Sequence, residues 1–405
     1  MHALHLSGGG IREDSGAAGP SSSIISRPAF GSPALISRPA FGSPPLNTVL
    51  HTEASWGLGG QEIRLVAEAR WLLDHGWGAL VACQPGSRLM AEARAVEIPV
   101  VAVKMRNPFD LLAVKDLRRL MRARGVRLVH THSSIDSWVA TIAAKSLALP
   151  VVRSRHVSIP ILRRRGLVYH LADRIIASGE AVGGVVRAAG VRAQKIVSIP
   201  AGVDTRRFHA GVSGKAVRDE LSLTGPVVGL VAMLRGSKGH RFFLDAAREV
   251  LRAMPETRFL IVGDGIGYRD VKARVSDMGL ERAVIMTGFR RDIPEVMAAL
   301  DVLVLPSVKS EATSQVIPQA LAVGTAVVAT ATGGIPEIIR DGETGWLVPP
   351  ADSPALARAI LSLLSDPPRA RSMAAAGQAL VLARYTVDEM MARTTRVYRE
   401  LIETR

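Results

Sequence analysis

The feature that most constrains this chain is an alternation that occurs twice: short β-branched runs separated by amphipathic helical stretches, from Asn47 onward. Strand candidates in the first series are Thr48–His51, Ala79–Cys83, Val100–Val103, Arg127–His130, Val151–Ser154, Arg174–Ala177 and Lys195–Ile199. The series restarts at Val227–Met233 and continues through Phe259–Val262, Val284–Thr287, Val302–Leu305, Ala326–Ala329 and Trp346–Val348. Runs this short and apolar suit strands buried on both faces, and the helix after each supplies a crossover, so each series predicts a parallel, doubly wound α/β sheet. Helix punctuation agrees. A helix over Gln61–His75 stops at Gly76; another over Asp110–Arg124 opens on Asp110 as N-cap, lines Leu111, Val114, Leu117 and Met121 along one face, and stops at Gly125. Helical pattern fills Ser353–Thr404. The expected organisation is two Rossmann-like domains, 47–210 and 211–386, with a helix at about 387–405 returning to the first.

At 405 residues the chain exceeds a single hydrophobic core and suits two. Residues 1–46 fall outside the pattern. They hold a direct repeat, Ile25–Pro33 and Ile36–Pro44, and their Pro, Gly and Ser content reads as a disordered low-complexity extension. One cysteine, Cys83, excludes an internal disulfide or a cysteine-based metal cluster and points to a reducing, cytoplasmic compartment. No apolar run approaches the roughly 20 residues of a membrane span. Arg12, Glu13 and Asp14 interrupt any secretory signal. The net charge of +15 is uneven: residues 47–224 carry 26 Lys and Arg against 14 Asp and Glu, residues 225–405 carry 22 against 20. A basic first half suits an anionic partner, such as the inner face of the cytoplasmic membrane, or serves solubility alone. The run Arg163-Arg164-Arg165 has the same two readings. Nucleic acid fits less well, because the chain has four tyrosines and no basic–aromatic interleaving.

Ligands in doubly wound sheets bind beyond the carboxyl ends of the strands, which directs attention to the loops there. Trp56-Gly57-Leu58-Gly59-Gly60-Gln61-Glu62 follows the first strand and opens a helix; its glycines allow close backbone approach, and Glu62 reads as a helix-start acid. His130-Thr131-His132 ends another strand. Period two sends the rings to opposite faces, one into the sheet and one toward the cleft, and with no third ligand nearby in sequence this argues against zinc. In the second half, Arg235-Gly236-Ser237-Lys238-Gly239-His240 places two cations at a helix start past a strand end, a cradle for a diphosphate. Glu311 and Gln319, eight residues apart, flank a turn where Thr313, Ser314 and Gln315 start a helix whose N–H groups face the same cleft. Gly263-Asp264-Gly265-Ile266-Gly267 lacks the third glycine of a dinucleotide fingerprint.

In order and spacing these pieces resemble the family 4 glycosyltransferases, retaining enzymes of the GT-B fold, over nearly all of residues 47–400. The likeness rests on His130-Thr131-His132, on Ile199-Pro200-Ala201-Gly202-Val203-Asp204 with Phe208, and on Arg235 with Lys238-Gly239-His240. It rests also on Val262-Gly263-Asp264-Gly265, Thr287-Gly288-Phe289, the Glu311 segment, Thr332-Gly333-Gly334-Ile335-Pro336-Glu337 and Asp341–Val348. The version here is most similar to bacterial enzymes that build lipopolysaccharide and related envelope glycans.

The resemblance implies two Rossmann-like domains facing a central cleft, a nucleotide-diphosphate sugar (UDP-, GDP- or ADP-linked) as donor, and a glycan or glycolipid acceptor. Arg235 and Lys238 would neutralise the diphosphate, with Gly60 approaching it from the other domain and the helix start at Thr313, Ser314, Gln315 and Val316 assisting. Glu311 and His132 would contact the donor sugar, Gln319 the ribose, and backbone at Gly288–Arg290 the base, with Gly263 lining the cleft. No cofactor or metal is implied, and the chain holds no D-x-D pair. Two departures matter. Gln319 stands where a second glutamate is usual, which removes a charge-assisted bond and weakens the donor contact by about 1–2 kcal/mol. The usual arginine lies five residues before the lysine, where this chain has Met233, so Arg235 would reach the phosphate from another angle. A nucleotide-sugar epimerase and a non-catalytic nucleotide-sugar-binding protein share the architecture and remain alternatives.

Overall fold

The computed structural model describes residues 47–161, 163–309 and 311–404, with backbone alone at 163–165, so the repeat-bearing extension and the Arg163–Arg165 side chains lie outside it. The first series of strands is β1 (Thr48–Glu53), β2 (Gly78–Cys83), β3 (Val100–Ala102), β4 (Val126–Thr131), β5 (Val151–Arg155), β6 (Arg174–Ala177) and β7 (Ile196–Ser198). They form one parallel sheet in the order β3-β2-β1-β4-β5-β6-β7. The second series is β8 (Val227–Val231), β9 (Arg258–Val262), β10 (Val284–Gly288), β11 (Val302–Leu305), β12 (Ala326–Thr330) and β13 (Trp346–Val348), again parallel, in the order β10-β9-β8-β11-β12-β13. Each sheet therefore has its topological switch point where the strand order reverses, between β1 and β4 and between β8 and β11.

The strands are buried because helices cover both faces. Leu50, Val81, Leu128 and Val129 have no exposure in the first sheet, nor Val228, Leu230, Leu303 and Val304 in the second. Helix ends follow their capping residues: Asp110 Oδ1 accepts from Ala113 N at 3.1 Å, and the helix Leu111–Ala123 begins there. Its buried face is Ala113, Leu117 and Met121. Leu111 is 76% exposed, so the expected stripe is shifted by the first turn, where Leu111 and Leu112 both point to solvent. Among the described residues no helix is long and apolar enough to cross a membrane.

Chain crossing between the lobes is decided by packing. Val203 and Phe208 sit in the core of the second lobe. After Tyr385 the chain turns back: Val203 N donates to Tyr385 O at 2.7 Å and Val387 N to Val203 O at 3.0 Å. The last helix, Val387–Glu403, then packs Met390, Met391, Val397, Tyr398 and Leu401 against Val49, Leu65, Leu72 and Leu128 of the first lobe. Met391 has no exposure, so Met391→Ala should cost about 2–5 kcal/mol. The check is a lowered thermal midpoint; an unchanged midpoint would mean this helix does not hold the lobe.

Candidate active site at the carboxyl ends of the two sheets

In the second lobe the switch point between β8 and β11 brings two loops together. After β8 the chain makes one 3₁₀ turn, Gly236–Lys238, then enters the helix His240–Ala253 through Gly239 at φ +72°. A Cβ at Gly239 would stand 1.8 Å from Pro306 O, so only glycine lets this turn lie against the loop after β11. Lys238 Nζ then donates to Glu311 Oε2 at 2.6 Å, and Ser307 Oγ donates to the same oxygen at 2.8 Å. The Lys238 and Glu311 side chains are 14% and 9% exposed, which shields the ion pair from the screening that weakens surface pairs. Glu311 is fixed from behind as well: Gly334 N donates to Glu311 O at 3.0 Å, and a Cβ at Gly333 would collide with that carbonyl.

Loops at the carboxyl ends of the first sheet meet this arrangement. Thr313 Oγ1 donates to Ser178 O at 2.9 Å and Gln315 Nε2 donates to Gly60 O at 3.0 Å. The Glu337 carboxylate accepts from Glu180 N and Ala181 N, both at 2.8 Å, at the start of the helix Glu180–Ala188. Glu337 was legible only as a member of the Gly-Gly-Ile-Pro-Glu motif. Its negative charge at a helix N-terminus is a favourable placement that ties the two lobes together. Glu62 acts as read from the sequence, accepting from Gly59 N at 2.7 Å and from Ser55 Oγ.

Other predicted residues are placed differently. Arg235 is exposed, and among the described residues its side chain has no hydrogen bond or ion pair, which leaves its guanidinium unengaged. The Arg290 side chain pairs with Glu220 at 2.7 and 2.8 Å and with Asp292 at 2.9 Å, and so braces the loop after β10, whose backbone was the expected contact for the base. Gly288, at φ +73°, accepts from Gly263 N at 2.9 Å, joining the loops after β9 and β10. The helix expected from Thr313 starts later, at Val316, because Gln315 is its N-cap; Ser314 Oγ accepts from Ile317 N at 3.4 Å. Gln319 lies in the first turn of that helix, half-buried.

His132 departs most from expectation. β4 ends at Thr131, so one residue later the strand period no longer governs, and the His130 and His132 rings lie 4.2 Å apart instead of on opposite faces. His132 is 3% exposed; its Nε2 faces His51 Nδ1 at 3.0 Å and its Nδ1 faces His156 Nε2 at 3.4 Å. The argument from sequence that no further ligand stands near also fails in space, because His51, Glu68, His130 and His132 converge. Burial pushes the His51 imidazole down to about 3 and holds His130, His132 and His156 well below the usual imidazole range, while it raises Glu68.

Two facing parallel sheets, each with its switch point at a shared cleft and a lysine–glutamate pair at one of them, define the GT-B class of glycosyltransferase. Family models match both lobes: Glycosyltransferase Family 4 over residues 58–207 and Glycosyl transferases group 1 over residues 225–366. A 2-deoxystreptamine glucosyltransferase of Streptomyces kanamyceticus is 30% identical over 66% of this chain and 71% of its own length. The Escherichia coli UDP-Gal:α-D-GlcNAc-diphosphoundecaprenol α-1,3-galactosyltransferase is 26% identical over 67% of this chain and 75% of its own. Among solved structures, Anabaena Alr3699/HepE in complex with UDP-glucose superposes with a TM-score of 0.78 at 25% identity, covering 87% of this chain and 99% of that one. The chain belongs to the family 4 glycosyltransferases.

The lysine turn carries a titration of its own. His240, 4% exposed beside Lys238, is held down to about 4, first by burial and then by the lysine charge. The folded protein thus resists a proton that the unfolded chain accepts near pH 6.5, and stability falls as pH drops from about 6.5 toward 4, by about 3 kcal/mol from this group. Urea unfolding of His240→Phe at pH 7 and pH 5 should show a smaller acid loss than wild type; an equal loss would remove His240 as the source.

Proposed function

We propose that this protein moves a sugar from a nucleoside-diphosphate donor to an envelope glycan or glycolipid acceptor, with retention of anomeric configuration and with no divalent ion at the diphosphate. The observation that carries this reading is the shielded Lys238–Glu311 pair at the β8/β11 switch point, beside the exposed, unpartnered Arg235. Lys238, anchored through Glu311, sets a fixed cation against the departing diphosphate, and Arg235 adds a second. The N–H groups at Gln315 and Val316 add a helix start. The bond between the anomeric carbon and the diphosphate oxygen breaks while the acceptor oxygen bonds to that carbon from the same face. The hydroxyl proton passes to a phosphate oxygen. Gln319 binds the ribose as a neutral acceptor. His132 acts from inside the first lobe, holding the floor of the cleft.

The test is transfer of labelled sugar from UDP-, GDP- and ADP-sugars to extracted envelope glycolipid, with chelator present. Lys238→Ala and Glu311→Ala should each lower kcat by about 10²-fold or more with the circular-dichroism spectrum unchanged. Near-normal turnover in either variant would remove the roles assigned. Turnover of a sugar nucleotide without acceptor would indicate epimerase chemistry, and binding without turnover a non-catalytic protein.

The acceptors named for the relatives range from 2-deoxystreptamine to an undecaprenol-diphosphate-linked sugar. The surface of the first lobe favours the lipid-linked class. Phe109, Leu111 and Leu112 are 82%, 76% and 61% exposed around the buried N-cap Asp110, and Lys115, Arg118, Arg119 and Arg122, all exposed, follow on the helix Leu111–Ala123. An apolar tip beside such cations suits the anionic inner face of the cytoplasmic membrane. Vesicles containing anionic lipid should bind the protein at low salt and release it as salt rises, and Arg118→Glu with Arg119→Glu should weaken this. Equal binding to neutral and anionic vesicles would sink the idea.

A further inference from the structure

Beneath the cleft, in the first lobe, three imidazoles and one carboxylate meet with almost no solvent. His51 lies on β1, His130 faces it in register on β4, His132 follows that strand, and Glu68 projects from the helix Gly60–Asp74. One ligand atom from each lies within 4.8 Å of the other three, and His51, Glu68 and His130 have no exposure. The known separations are 3.0 Å from His51 Nδ1 to His132 Nε2, 3.9 Å from Glu68 Oε2 to His51 Nδ1 and 3.7 Å to His130 Nδ1. Ligands around a tetrahedral zinc at 2.0–2.2 Å stand about 3.3–3.6 Å apart, so the three separations given lie within about half an ångström of that spacing, and the whole set lies within 4.8 Å.

The groups behind the four residues point the same way. Arg64 Nε donates to Glu68 Oε1 at 2.7 Å and so orients the carboxylate, yet Glu68 Oε2 has no partner despite complete burial. His156 Nε2 stands against His132 Nδ1, and Ser154 Oγ against His130 Nε2 at 2.8 Å, so these two imidazoles are held at their far nitrogens, while His51 Nε2 has no partner. Outer hydrogen bonds of this kind fix the ring and tautomer of metal-binding histidines. Two features oppose a cation: the Arg64 charge, and Tyr398 Oη at 2.6 Å from His130 Nδ1. The Glu68 carboxylate stands between Arg64 and the histidines and offsets the first. The second requires the phenol to turn aside. Against these stands the cost of a bare carboxylate oxygen in a dry core, about 1–3 kcal/mol, which an ion at Glu68 Oε2 removes.

We propose that His51, Glu68, His130 and His132 hold a structural zinc ion. Four protein ligands leave no open position, so the ion does no chemistry on substrate. It pins β1, β4 and the first helix together under the loops that form the first lobe's wall of the cleft. This role takes His132 as a ligand in place of the donor-sugar contact implied by the resemblance, and it is independent of any ion at the diphosphate.

The test is metal analysis of the full-length protein, prepared without a histidine tag. About one zinc per chain is expected, falling to below about 0.1 in Glu68→Gln and in His51→Ala but unchanged in His240→Phe. Where a variant fails to fold, cobalt exchange into the wild-type chain replaces it: strong visible absorption of tetrahedral cobalt supports the site. A protein that holds no zinc after dialysis against it, with an unchanged melting temperature and no cobalt band, contains only a hydrogen-bonded imidazole cluster, and the proposal falls.

Discussion

Lys238 and Glu311 are 73 positions apart in the chain, and the crossover from β8 to β11 brings ammonium and carboxylate to 2.6 Å. The rest of the second lobe is arranged to make that distance possible. Gly239 lets the lysine turn lie on Pro306, Ser307 adds a second donor to the same carboxylate oxygen, and Gly333 and Gly334 press backbone against the carbonyls of Glu311 and Ala312. A carboxylate held by two donors keeps its orientation at little further entropic cost, and it fixes the Lys238 ammonium in turn.

The first lobe meets that centre through backbone more than through side chains. Gly60 and Ser178 offer carbonyls, and the helix at Glu180 offers N–H groups to Glu337. These contacts form a joint of short loops between the two sheets, where Ala312 of the second lobe also packs with Ala177 and Val182 of the first. Return of the last helix to the first lobe closes the chain on itself and gives the joint a second connection at Val203–Val387.

Among the described residues all thirteen strands were legible within one or two residues, because buried parallel strands are written as unbroken apolar runs. The loops at the site were legible too, since glycine at a close approach and a cation at a helix start leave marks in the local sequence. Legibility failed where position depends on a neighbour. Leu111 fits the helical stripe, yet the first lobe leaves that turn uncovered. His-x-His promised opposite faces, and the end of β4 between the two residues cancelled the alternation.

What the sequence alone determined is the architecture and the chemistry available at each strand end, because hydrophobic period and glycine spacing act over a few residues. Only the tertiary structure decided which of those groups meet. His51 and Glu68 carry no local signal of a shared site, and Glu337 none of a bond to another lobe's helix, since such contacts depend on strand order and on how two sheets face each other. Neither is written in the spacing of residues along the chain.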